Sequence, residues 1–389
     1  MTLPEGRANV SAMMVGIQAD DLTGACDTAA PFAVRGLETL VIVQDPDGRT
    51  STAGAGADVL AIDTETRERG SEVAREMAHR AGAALRAAAP AVLYKKVDST
   101  LRGRIAAELD GMLEGVGVVT TLLAPAFPAQ GRTVLDGRLL VDGRPVEETP
   151  IALDPTAPAT GASVLALLAT ADTRPAGLLP LATLRRGREA VDARIERFSA
   201  SGGRALVADA ETAPDLAVLA DAGRGRPLLL AGSAGLATAL ARREACAVTG
   251  RREPLRGPLL VVTGSAHPST RTQVMRLGRR DGLEVLAPPD DGGSGDPARR
   301  AGITRSLAEA ARARIERQRP GAVLLTGGET AIAVLRALGA AGLRLTGLLE
   351  PGLALGALAG GPFDGLAVLT KAGGFGDADA LVRVWKACA

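Results

Sequence analysis

Val15-Gly16-Ile17-Gln18-Ala19-Asp20-Asp21-Leu22-Thr23-Gly24-Ala25 passes from a short apolar stretch into two acids, a hydroxyl and a glycine, and then into the Ala-rich segment Ala25–Arg35. This reads as a buried parallel strand whose carboxyl end opens a helix. The pattern recurs along the chain. Strands are expected at Met14–Ala19, Thr39–Val43, Asp58–Ile62, Ala91–Val97, Val118–Ala124, Ala205–Ala208 and Pro227–Ala231, then at Leu259–Thr263, Leu283–Leu286, Ala322–Thr326 and Ala367–Thr370. Helices are expected at Ala25–Arg35, Ser71–Ala88, Ile105–Glu114, Arg188–Ala200, Leu236–Arg243, Ser269–Asp281, Pro297–Gln318 and Ala331–Leu338. Apolar strands alternating with amphipathic helices point to an α/β class, with two domains that each carry a largely parallel sheet flanked by helices.

The 389 residues suffice for two or three domains. Glu244–Pro258 is charged, rich in Gly and Pro, and without apolar period, so it divides the chain into residues 1–245 and 246–389. Ala287–Pro297 reads as an exposed loop of the second domain. Pro125–Pro158 reads as a hairpin excursion on the first sheet.

Composition excludes several classes. A formal net charge of +1 argues against attraction to nucleic acid or anionic membrane, and 2% aromatics leave few platforms for stacking bases. Cys26, Cys246 and Cys388 form no CxxC pair, which points away from a zinc site or a disulfide framework. With no leader-like start and no long apolar run, a cytoplasmic protein is expected.

The polar residues gather at strand ends, where open parallel sheets bind ligands. Asp20 and Asp21 follow the first strand. One can cap the helix while the other takes a proton or a metal, and capping alone would also account for them. Tyr94-Lys95-Lys96-Val97-Asp98-Ser99-Thr100-Leu101-Arg102-Gly103 sets two of the chain's four lysines, an acid, two hydroxyls and an arginine at another strand end. Such a cluster suits an anionic small molecule, and a solvated strand end with an Asp/Ser cap is the plainer alternative. Pro125–Thr133 is a rigid loop that could wall a pocket. In the second half, Thr263-Gly264-Ser265-Ala266-His267, Thr326-Gly327-Gly328-Glu329-Thr330 and Lys371-Ala372-Gly373-Gly374 follow three strands. Glycine lets a backbone approach a phosphate, and helix N-termini offer it N–H groups. His79 reads as a surface residue; His267 falls in one of the candidate phosphate loops. A Walker A loop, a dinucleotide fingerprint, a GxSxG elbow and an HExxH pair are all missing.

Taken together, ADDLTGA, KKVDSTLRG, PAFPAQGRTVLDGRLLVDGRPV, DPTAPATGASVLALL, TGSAHPSTRTQV, TGGETAIAVLRALG, EPGLALGALAGG and KAGGFGDADAL resemble the four-carbon acid sugar kinase family, in the family's order, over about residues 15–383. The resemblance implies an ATP-dependent kinase with its active site in an interdomain cleft. The first domain would hold the sugar acid and the second the nucleotide, with Mg²⁺ accompanying ATP. Carried over by motif, Ser265, Gly327, Gly328, Glu329, Thr330, Gly373 and Gly374 line ATP. Asp20, Lys95, Lys96 and Arg102 face the acid, and Asp21 and Asp98 are the candidates to take the acceptor's proton. Metal ligands are not assigned, and the oligomeric state is left open, a homo-oligomer included. The stretch from Ser265 to Gly327 is shorter than in some relatives, and His267 stands where a small residue is common, so the adenine contacts are the least transferable part. A dehydrogenase on the same architecture would need the dinucleotide fingerprint. A non-catalytic sugar-acid sensor could lose the Gly-rich loops. The identity of the acid does not follow from the sequence.

Overall fold

The computed structural model describes residues 14–43, 56–153, 161–169, 174–244, 255–265, 267–288 and 297–389. The first part of the chain builds β1 (Val15–Ala19), α1 (Leu22–Val34), β2 (Thr39–Val43), β3 (Val59–Asp63), α2 (Ser71–Ala87), β4 (Val92–Lys96), α3 (Ile105–Val116) and β5 (Thr121–Ala124). A side sheet of β6 (Arg132–Leu135), β7 (Arg138–Val141) and β8 (Arg144–Pro145) follows. Then come α4 (Val164–Leu168), β9 (Ala176–Leu179), α5 (Leu181–Leu184), α6 (Arg188–Ala200), β10 (Ala205–Ala208), α7 (Ala213–Gly223), β11 (Leu229–Gly232) and α8 (Ala234–Glu244). The second part builds β12 (Leu259–Thr263), α9 (Pro268–Leu277), β13 (Leu283–Leu286), α10 (Pro297–Gln318), β14 (Ala322–Thr326), α11 (Gly328–Ala337), β15 (Gly342–Glu350), β16 (Leu353–Ala359), β17 (Ala367–Lys371) and α12 (Ala380–Cys388).

The α/β reading holds, with one difference in architecture. Among the described residues fourteen strands form a single sheet, ordered β13-β12-β14-β17-β16-β15-β2-β3-β1-β4-β11-β5-β10-β9. Strands β2 to β9 in that order are all parallel, as are β13, β12, β14 and β17. The hairpin β15–β16 joins the two sets by pairing antiparallel with β2 on one side and β17 on the other. The two parallel sets therefore run in opposite directions. The loops after β1 and β4 nevertheless approach those after β14 and β17, Asp21 beside Gly328 and Lys96 in one cleft with Ala372 and Phe375.

The hairpin lay outside the expected strands because those were sought as continuous apolar runs. β15 instead alternates, with Leu343 and Leu345 buried and Arg344 and Thr346 exposed. That is the period-2 signal of an antiparallel strand. Helix α7 also lies outside the expected helices, although Thr212 and Asp215 form a reciprocal capping box and Pro214 stands in its first turn. β9 and α12 lie outside the expected elements as well.

Helix α1 begins at Leu22, three residues before the expectation, because the Asp21 carboxylate accepts from the Gly24 N–H and caps it. The helix is apolar nearly all round, as a helix covered on every side must be. Phe32 and Ala25 share one core with Ile17 of the first sheet and with Leu343 and Leu345 of the hairpin.

The excursion after β5 is the side sheet β6–β7–β8. Most of the Glu244–Pro258 boundary, the start of the DPTAPATG motif and the loop 289–296 lie outside the described residues. Among the described residues, no helix is long and apolar enough to cross a membrane.

Candidate active site

The loops after β1, β3 and β4 meet in a network of acids and cations. Arg67, after β3, forks onto Asp20, with Nε 2.8 Å from Oδ2 and Nη2 3.0 Å from Oδ1, and the same Nη2 reaches Asp21 at 2.6 Å. Lys96 Nζ lies 3.3 Å from a carboxylate oxygen of each of Asp20 and Asp21. Asp98 receives Arg102 in a fork, at 3.1 Å from Nε and 3.0 Å from Nη2, and accepts from the Thr100 N–H and hydroxyl. Burial alone would raise both acids. The Arg67 and Lys96 charges hold Asp20 well below the usual carboxylate range, and Arg102, Arg67 and Lys96 do the same for Asp98.

Lys95 is placed elsewhere. Adjacent strand residues face opposite sides of a sheet, so Lys95 points away from Lys96. It is fully buried, pairs with Glu108 of α3 at 2.7 Å and donates to the Lys96 carbonyl. The structure brings Asp20, Asp21, Lys96, Asp98 and Arg102 together and leaves Lys95 behind the sheet.

In the second part of the chain, Ser265, Thr330, Gly327, Gly373 and Gly374 converge. A Cβ on Gly327 would lie 3.2 Å from the Ser265 nitrogen, and one on Gly374 would lie 3.2 Å from His267 Nε2. A Cβ on Gly264 would overlap Thr330 Oγ1, and one on Gly373 would overlap Ser265 Oγ. Helix α9 pins the last loop. Thr270 Oγ1 donates to the Gly373 carbonyl at 2.8 Å, and Gln273 Nε2 reaches the carbonyls of Phe375, Gly376 and Asp377 at 3.0, 3.0 and 2.9 Å. Glu329 is exposed in the first turn of α11, whose N-cap Gly327 supplies no capping side chain. His267 caps α9 through Nδ1, and His79 is half-buried on α2.

Among the described residues, the buried hydroxyls of Thr263 and Thr326, at two of these strand ends, have no hydrogen-bond partner, while that of Thr370 meets the Cys26 thiol. Uncapped N–H groups, hydroxyls and glycines are the donor set a polyphosphate needs, so these residues fit a nucleotide. Lys371, at the end of β17, donates to the Ala372 and Gly373 carbonyls at 2.9 and 3.1 Å. Burial pushes its ammonium down to about 8, with Glu350 opposing.

The two sides share one small cleft, walled by Asp21, Lys96, Arg102 and Ser233 from the first part and by Ala372 and Phe375 from the second. Asp21 Oδ2 would lie 3.6 Å from a Cβ on Gly328, at the start of α11. Four residues here escaped the sequence reading. Arg67 follows β3 in TETRERG, and Ser233 follows β11 in GSAG, a strand-end signal like those that were used. Asp27 lies on α1 three residues after Gly24, the spacing of one helix face. Arg132 stacks on Phe375, 5.8 Å from the ring centroid, and its buried Nε has no partner. Burial, joined by Arg102, lowers the Arg132 pKa against the pull of Asp142 and Asp98.

Residues 15–240 match the family model of a sugar-binding N-terminal domain, and residues 291–381 that of a nucleotide-binding C-terminal domain. A cleft between two such halves defines a carbohydrate kinase. The chain is 36% identical to a D-threonate kinase of Bordetella bronchiseptica, over 96% of this chain and 97% of the relative. It is 33% identical to a 3-oxo-tetronate kinase of Methylobacterium radiotolerans, over 72% and 69%. A solved Bordetella bronchiseptica structure, a domain-swapped dimer with bound citrate, is 34% identical, covers 96% of this chain and 98% of its own, and superposes with a TM-score of 0.51. The chain belongs to the four-carbon acid sugar kinase family.

Proposed function

We propose that this kinase transfers the γ-phosphoryl group of ATP to the terminal hydroxyl of a four-carbon acid, with D-threonate the first candidate because the relative of that activity is similar over nearly the full length. The observation that carries the reading is the juxtaposition of Asp21 with Gly328. It brings the acid-and-cation cluster of the first part against the helix N-terminus of the second.

In this reading residues 1–245 bind the acid and residues 246–389 bind the nucleotide. Lys96 and Arg102 receive the substrate carboxylate, and Arg132, which has no ion pair among the described residues, adds a cation on the Phe375 side. Asp20 and Asp98 hold those cations in place. Ser265, Gly327, Gly328, Thr330, Gly373 and Gly374 admit the phosphates, and Glu329 stands at the rim. Phosphoryl transfer depends on positioning and charge neutralisation, which these groups supply. Mg²⁺ accompanies the nucleotide in this reading, since it is commonly held by one or two carboxylates together with substrate phosphates. Buried free thiols at Cys26 and Cys388 suit a reducing cytoplasm. The swapped dimer of the relative makes self-association of this chain a matter for sedimentation.

The test is ADP release from ATP and Mg²⁺ with a panel of D- and L-threonate, D- and L-erythronate and the 3-oxo acids. Turnover of at least one acid is expected. Folded protein with no turnover on any of them would overturn the reading.

A further inference from the structure

The acceptor hydroxyl must lose a proton during transfer, and the sequence offered Asp21 and Asp98 for that task. The structure shows both already committed. Asp98 is forked by Arg102 and bonded by Thr100, and Asp21 caps α1 while bound by Arg67 and Lys96. Arg102, Arg67 and Lys96 hold the Asp98 carboxyl well below the usual range, so it is a weak base, and Asp21 has its oxygens occupied by Arg67, Lys96 and the Gly24 N–H.

Asp27 is different. It lies on α1, six residues after the cap Asp21 and three after Gly24, and lines the same cleft beside Lys96, Gly24 and Ala372. Among the described residues it forms no ion pair. Its one recorded hydrogen bond comes from the Gly352 N–H in the β15–β16 turn, at 3.0 Å to Oδ1, which leaves Oδ2 for another partner. The charged groups that act on it are Lys96 from β4 and Asp21 from its own helix. The hairpin turn faces it with a backbone N–H, and its neighbour Cys26 is a buried neutral thiol.

We propose that Asp27 accepts the proton of the acceptor hydroxyl, an assignment that rests on the kinase reading above. The hydroxyl oxygen forms a bond to the γ-phosphorus as its proton passes to Asp27 Oδ2. The bond from that phosphorus to the β,γ-bridging oxygen breaks, and its electron pair leaves with ADP. Asp27 then returns the proton to solvent. Burial raises its carboxyl to about 6, against the Gly352 hydrogen bond and Lys96, so it is ionised at neutral pH yet basic enough to receive a proton.

Asp27→Asn tests this, because the amide keeps an oxygen for the Gly352 N–H and removes only the basicity. With the acid that the wild type turns over best, kcat should fall by about 100-fold or more. The KM for the acid and the Kd of a non-hydrolysable ATP analogue should stay within about threefold. The wild-type kcat profile should fall on the acid side with a midpoint near 6, and the Asn variant should lose that limb. Binding of the ATP analogue by the variant shows that it is folded. An active wild type paired with an Asn variant of unchanged kcat and unchanged acid limb overturns the assignment alone. A wild type inactive on every acid removes the kinase reading and the assignment together.

Discussion

Gly24 lies directly against the Lys96 ammonium: a Cβ built on it would sit 2.6 Å from Lys96 Cε and overlap Nζ itself. The first turn of α1 must therefore lack a side chain at this point for the cation to reach Asp20 and Asp21. Gly24→Ala should displace Lys96 from the cleft. A rise in the acid KM of at least about tenfold is expected, with nucleotide affinity retained. Steady-state kinetics and calorimetry with an ATP analogue check both halves of the statement.

Gly373 meets a similar restriction, and the structure changes its explanation. The sequence suggested that a Cβ there would hold the backbone away from a phosphate. The nearer obstacle is Ser265 Oγ, which a Cβ would overlap. Gly373→Val should force apart two of the three strand-end loops and abolish ATP-analogue binding, while acid binding survives. Retained affinity for the analogue would place the nucleotide elsewhere.

Arg102 forks onto Asp98 while lining the cleft. Lysine keeps the charge and loses the planar fork. Arg102→Lys should raise the acid KM by roughly tenfold or more, the 1–3 kcal/mol scale of a charge-assisted hydrogen bond, and leave nucleotide binding nearly unchanged. Unchanged KM and kcat would assign this arginine to holding Asp98 alone.

Lys371 carries a pH signature. Its folded pKa, about 8, lies below the ordinary 10.5, so the folded state binds fewer protons than the unfolded state between these values. The free protein should therefore gain stability as pH rises through that window. Nucleotide binding should run the other way, because phosphate charge near the amine favours its protonated form. At pH 8, ATP-analogue binding should take up roughly half a proton, read by calorimetry in buffers of different ionisation enthalpy. Zero uptake would show that the amine only ties its own loop.

Lys95, the lysine turned away from the cleft, should matter for stability. Lys95→Met leaves Glu108 as an uncompensated buried charge, a change of about 3–5 kcal/mol in denaturant unfolding. Folded variant protein should keep the wild-type acid KM. A large KM increase at normal stability would return Lys95 to the substrate.

The α/β class was legible because buried parallel strands are written as unbroken apolar runs and each ends on glycine, hydroxyl or charge. The same strand-end rule points to Asp20, Asp21, Lys96, Ser265, Gly327 and Gly373 as candidates, and the structure sets them in two loop clusters that face each other. It could have found Arg67 and Ser233, which stand in equivalent places after β3 and β11. The β15–β16 hairpin was less legible, since an alternating strand buries only half its residues and looks polar to a search for continuous runs.

What the sequence determined by itself was local: which segments could be strands or helices, and which strand ends gather polar side chains and glycines. Side-chain partners were decided by the tertiary structure. Whether Lys95 or Lys96 faces the cleft depends on which side of β4 packs against α3, and strand alternation then commits the two neighbours to opposite faces. Which aspartate remains free to take a proton depends on where Arg67 and Arg102 come to rest, and Arg67 reaches Asp20 across 47 positions of chain. The meeting of the two halves, seen in Asp21 against Gly328, depends on β15 pairing antiparallel with a strand about three hundred residues earlier, a contact that no local pattern encodes.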